Sequence, residues 1–224
     1  MKKITVVVLL LTAFLTLFSS YRAISAQDDS LKARQWAEQK GEAILQILAD
    51  KDLSRKYAEL DKILYEDIDL DHAARFVVGR YWRNMSNEQK EKYVPLFKRY
   101  TASVYKSFPL DIPENSIGYE ISDIKPNKNF YDVFCLINLN KQSTQGEQTE
   151  SPKIRVVFSL IEQNGKILLR DLKIGESSLL IAYRERFYKM IHQDNDDEID
   201  WFLEDLENIT ADNEAENQRL IEAN

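Results

Sequence analysis

Apolar positions along this chain fall into three successive regimes. Over residues 28–108 they recur at helical spacing, over 117–174 they alternate with a period near two, and over 177–208 the helical spacing returns. The first regime predicts a long helix over Asp28–Ala49 that carries Leu31, Trp36, Ile44, Leu45 and Leu48. A second runs over Leu53–Leu64 with Tyr57, Leu60, Ile63 and Leu64 on one side. Asp69 or Asp71 can cap a third, which carries Ala73, Phe76, Val77 and Tyr81 and ends near Trp82. Ser86 then caps a fourth, with Gln89 three residues on to complete a capping box. Its stripe of Tyr93, Phe97, Tyr100 and Val104 is broad and aromatic, and it reads first as core. Pro95 removes one backbone donor inside that helix and predicts a kink, while Gly79 marks a close approach before it.

The second regime predicts four strands. Ile117–Ile124 places Ile117, Tyr119 and Ile121 on one face. Phe130–Leu139 is apolar on both faces, the mark of a strand covered on both sides. Ile154–Ile161 alternates, Asn164-Gly165 is a strong hairpin turn, and Lys166–Ile174 returns as the last strand. Four sequential strands with short links make an antiparallel meander. In the third regime Ser177 or Ser178 caps a helix with Leu179, Leu180, Tyr183, Phe187, Met190 and Ile191, and Asp194–Asn208 forms another. The expected fold is therefore α+β, with helices packed on a four-stranded antiparallel meander sheet. The apolar surface exceeds what one small sheet face needs, which leaves a large core or an enclosed apolar cavity as alternatives.

Composition narrows the function. Six glycines and five prolines in 224 residues argue for long regular elements and against a glycine-rich phosphate loop. A net charge of −7 disfavours nucleic acid, whose phosphates would go unneutralised. Lys2 and Lys3, the apolar run Ile4–Phe18 and the small residues up to Ala26 have the layout of a cleaved export signal. Residues 1–26 are thus expected to be a signal peptide, 27–208 one α+β domain, and the polar residues 209–224 a disordered tail. Cys135 is the only cysteine, so neither an intrachain disulfide nor a thiolate metal site can form.

No nucleophile motif, Walker loop or dinucleotide fingerprint is present. His72 and His192 lack partners at metal-ligand spacing, and the alternating Asp67, Asp69 and Asp71 lack the glycine and closing glutamate of a calcium loop. An enzyme would have to start from Asp171, His72 and Tyr131. The reading from residues alone is no catalytic residue, no metal and no cofactor.

The segment Gly79-Arg80-Tyr81-Trp82, followed by Ser86, Gln89, Tyr93, Phe97 and Tyr100, resembles the MlaC-type periplasmic phospholipid-binding family, also called the toluene-tolerance auxiliary family. A second block agrees with it: Leu169-Arg170-Asp171-Leu172, Ser177-Ser178-Leu179 and Tyr183-Arg184 through Phe187. Gly175-Glu176-Ser177-Ser178 departs from the family's Glu-Gly-Val-Ser, Pro95 is unusual, and Gln193-Asp194-Asn195 stands where a glycine is common. The resemblance implies a soluble periplasmic carrier with phospholipid as its ligand. Its partners would be an inner-membrane ABC transporter complex with a substrate-capturing domain, and an outer-membrane lipoprotein complex. The lining of such a cavity is expected from Phe76, Val77, Tyr81, Phe97, Tyr100, Val104, Phe134, Leu136, Phe158, Leu168, Leu172, Leu180, Tyr183 and Phe187. An enzyme on a cavity-bearing scaffold, or a periplasmic interaction protein without a ligand, remain as alternatives.

Overall fold

A computed structural model of the protein describes residues 28–106, 117–139 and 153–223. The expected signal peptide and the polar stretch Gln142–Pro152 lie outside them. Helix α1 covers residues 28–49. It is followed by α2 (Leu53–Asp67), α3 (Leu70–Val78), the single turn α4 (Tyr81–Asn84) and α5 (Asn87–Lys106). The strands are β1 (Ile117–Pro126), β2 (Tyr131–Leu139), β3 (Lys153–Gln163), β4 (Lys166–Ile174) and the two-residue β5 (Ser177–Ser178). Helix α6 (Leu179–Lys189) then runs through a π-helical turn (Met190–Asp194) to α7 (Ile199–Ala223).

The helix ends form for the reasons their residues give. Gln89 N–H donates to Ser86 Oγ at 3.1 Å and Ser86 N–H to Gln89 Oε1 at 2.9 Å, a complete capping box at the start of α5. Asp52 and Asp69 cap α2 and α3 by accepting from Arg55 and His72 N–H. Helix α3 stops at Gly79, whose φ of +51° only glycine adopts cheaply. A Cβ there would also stand 2.5 Å from the Tyr188 hydroxyl. Helix α5 continues through Pro95 without interruption.

The sheet is an antiparallel meander of five strands in the order β1-β2-β3-β4-β5, so the expected four-stranded sheet is corrected by one. The added strand pairs Ser177 with Ile174 and Ser178 with Lys173. Two residues cannot display a period of two, and Ser178 also caps α6, which is how it reads in sequence. Asn164 and Gly165 both adopt positive φ in the β3–β4 hairpin, as a type I′ turn requires. Register shifts interrupt β1 between Ile121 and Asp123 and β3 between Ser159 and Leu160.

Two hydrophobic clusters result. In one, Ala33 and Ala37 of α1 pack on Tyr131, Val133, Cys135 and Leu160 of the sheet. The larger one lies among α3, α5, α6 and α7 and centres on aromatic rings. Phe187 is fully buried there, with ring centroids 5.6–6.4 Å from Tyr93, Phe97, Tyr100 and Phe202. Helices α2, α3 and α6 meet the sheet along β4.

The expected disordered tail from residue 209 is not observed, because α7 continues to Ala223. Leu206, Thr210, Asn213 and Asn217 recur at helical spacing on the side facing α5. Asn217 Nδ2 donates to Ser103 O at 2.9 Å and Asn213 Nδ2 to Ser103 Oγ at 3.2 Å. Arg99 forks between Glu207 (2.9 Å) and Glu214 (2.8 Å). The seam is polar, with the amide donors of Asn213 and Asn217 bonded across it, so hydropathy does not report it.

Candidate functional site

Where α3, α5 and α6 approach β4, the packing is incomplete. The gap is an apolar cleft of about 130 Å³. Helix α3 contributes Leu70, Ala73 and Val77, α5 contributes Phe97 and Thr101, and α6 contributes Leu179, Leu180 and Tyr183. Leu64, Ile68 and the β4 residues Leu169 and Leu172 complete the wall. Two local devices hold the cleft open. The link between α2 and α3 is tied to β4 by a parallel bridge between Ile68 and Leu169, with Asp69 N–H donating to Leu169 O at 2.9 Å. At the other side, Asp171 accepts from Ser178 Oγ at 2.7 Å and from Leu180 N–H at 3.2 Å, which anchors the start of α6 to β4.

Those two bonds decide the role of Asp171. Each carboxylate oxygen accepts a donor at the start of α6, so the residue positions that helix on β4. His72 lies on α3 with its ring 5.9 Å from Phe76, and burial, followed by the Arg170 charge, lowers its pKa. Tyr131 is buried in the cluster under α1. The three starting points for an enzyme are therefore not gathered into one site. Burial likewise pushes the Cys135 thiol up to about 11, which suits an inert side chain. Among the described residues no group could hold a metal ion, and no helix is long and apolar enough to cross a membrane.

Of the fourteen expected lining residues, Val77, Phe97, Leu172, Leu180 and Tyr183 come together at the cleft. Tyr81, Tyr100 and Phe187 are instead buried in the aromatic cluster, with Phe76 and Val104 packed against it. Phe158 joins the cluster under α1. Phe134 lies beneath the Lys125 ammonium, 5.1 Å from its ring centroid, and Leu136 is partly buried opposite Arg155. Reading the chain by facing direction missed Leu64, Ile68, Leu70, Ala73, Thr101, Leu169 and Leu179. Ile68 had a usable signal: it is apolar between Asp67 and Asp69 in a turn.

Leu168 lies in a second hollow, a polar basin of about 770 Å³ beside the cleft. Cleft and basin share Ile68, Leu70 and Arg170 at their boundary. Arg170 donates from Nη2 to Asp69 at 2.7 Å, and Lys98 pairs with Asp71 at 2.9 Å.

Comparisons with known proteins agree with this fold. The family model described as MlaC protein matches residues 38–208. Among solved structures, the chain is similar to a phospholipid-binding protein from Ralstonia solanacearum in complex with a phospholipid. The TM-score is 0.62 at 14% identity, covering 79% of this chain and 96% of that one. A comparison with curated proteins gives no match.

Proposed function

The chain belongs to the MlaC family, and from that premise we propose that it is a periplasmic carrier of phospholipid. The acyl chains are taken up at the apolar cleft between β4 and helices α3, α5 and α6. Each acyl CH₂ moved out of water gains roughly 0.8 kcal/mol, so a two-chain lipid does not cross an aqueous space without such a host. The observation that carries the reading is this cleft, apolar on every side but for a rim of Arg170, Asp171 and Thr101, in a fold similar to one solved with a phospholipid.

At about 130 Å³ the cleft is smaller than the ~300–1,000 Å³ of ordinary ligand pockets, so uptake has to part its walls. Helix α5 is braced by α7 through Arg99 and Ser103, which makes it the fixed wall. Helix α6 is held to β4 by Asp171 and in the aromatic cluster by Phe187, so its exposed first turn, with Leu179 and Ile181, is where the wall has to part. In this reading the chain is exported on residues 1–26 and bears no catalytic role. It passes lipid between an outer-membrane lipoprotein complex and the substrate-capturing domain of an inner-membrane ABC transporter, as the family resemblance implies.

Native mass spectrometry of the purified protein tests the proposal. The expected result is a co-purifying adduct with the mass of a phospholipid. Protein that arrives empty and then takes up no lipid from vesicles would overturn it.

A further inference from the structure

The polar basin next to the cleft carries more cation than its own carboxylates use. Four cationic side chains line it, Arg75, Lys98, Lys166 and Arg170, against three carboxylates. Asp69 is taken by Arg170 and Asp71 by Lys98, so Glu66 is the one carboxylate of the basin's lining left against Arg75 and Lys166. This surplus stands on a chain whose net charge is −7. The second observation is independent of charge counting. Arg170 Nε is buried and has no acceptor among the described residues, although Nη2 of the same guanidinium is paired. A buried donor without an acceptor is costly, and an anionic oxygen is the partner that relieves it most. The third is position: Arg170 lines both hollows, so it stands where an apolar ligand would leave the cleft and its polar end would begin.

Building on the carrier reading, we infer that the basin is a phosphodiester site, in which Arg170 Nε with Arg75 and Lys166 binds the phosphate of a lipid whose tail occupies the cleft. The two hollows then form one amphiphile site, dry at one end and cationic at the other. Arginine suits the boundary because its planar guanidinium can keep the Asp69 pair on one nitrogen while offering another to the ligand. The carrier would consequently discriminate between lipids by the charge beside the glycerol, and not by tail burial alone.

The test compares transfer from vesicles of three probes with matched acyl chains: phosphatidylglycerol, phosphatidylethanolamine and diacylglycerol. Wild type is expected to favour both phosphate-bearing lipids over diacylglycerol by about tenfold, the order a charged hydrogen bond supports. Arg75→Gln with Lys166→Gln, both on exposed positions, is expected to remove most of that preference while leaving diacylglycerol transfer unchanged. Arg170→Lys keeps the charge on Asp69 but lacks Nε, and is expected to lower the preference several-fold at unaltered melting temperature. Unchanged preference in both folded variants overturns the inference and leaves the carrier reading standing. Binding of inorganic phosphate alone, lost in the same variants with no effect on lipid transfer, also overturns it, since the basin would then serve free anion. Uptake of none of the three lipids overturns the carrier reading and this inference together.

Discussion

The aromatic cluster and the apolar cleft are built on the same three helices, α3, α5 and α6, and share residues that include Val77, Phe97 and Tyr183, yet one is filled and the other is not. In the cluster, rings from α5, α6 and α7 meet edge to face, and Tyr93 places its hydroxyl on Ala74 O at 2.9 Å. In the cleft, the facing element is β4, held off by the capped turn at Asp69 and the anchored start of α6. A third helix can lay rings between rings, whereas the strand contributes aliphatic side chains that stop short. The difference teaches that the binding surface comes from which partner faces the helix, and not from the helix face itself.

That contrast can be broken in three ways. The largest effect belongs to the filled side. Phe187→Ala removes a fully buried ring and is expected to cost about 3–5 kcal/mol in denaturant unfolding. A loss under about 1 kcal/mol would mean the cluster holds slack of its own. A sharper comparison uses two neighbours on α3. Ala74 is fully buried and does not line the cleft, while Ala73 does line it. Ala74→Leu is expected to cost about 1–3 kcal/mol by overpacking. Ala73→Leu is expected to cost less than about 1 kcal/mol while blocking lipid uptake. Equal costs at the two sites would erase the distinction between them.

The smallest effect is electrostatic. Burial, with Arg170 and Arg75 nearby, lowers the pKa of His72 below its unfolded value, and the opposing pull of Asp69 and Asp171 is weaker. The unfolded chain therefore binds the proton more readily. His72 is without penalty at pH 8, and stability is expected to fall as the pH drops through about 6.5, levelling off below the folded pKa. The difference between wild type and His72→Asn in unfolding free energy from pH 8 to 5 isolates this contribution. A wild type that gained stability relative to the variant on acidification would show that the flank of the cleft is more anionic than its geometry indicates.

Periodicity made most of the elements legible, because capping boxes, turn residues and apolar stripes are local. Ser86 with Gln89, Asp69, Asn164-Gly165 and Ser178 each do what their residue types require. The cleft was legible only in part. Phe97, Tyr100 and Phe187 are equivalent in sequence pattern, and only their partners separate them: Phe97 reaches the cleft, while Tyr100 packs against Tyr183 and Phe187, and Phe187 against Phe202. Asp171 was read as a possible acid because its two donors come from the next element of the fold. The final turns of α7 were read as a tail because their seam is made of Asn and Thr, residues that report solvent everywhere except where a partner waits.

The irregularity in β1 has a consequence for how copies of this protein treat one another. Among the described residues β1 lies at one end of the sheet and pairs only with β2, so its outer row of amides and carbonyls has no partner strand there. The bulge between Ile121 and Asp123 breaks that row, Asp123 and Lys125 line it with charge, and Pro126 ends it without a donor. A neighbouring strand finds its straight run confined to Ile117–Ile121. Bulge, charge and proline together work against copies of this protein joining along this edge into a continuous sheet.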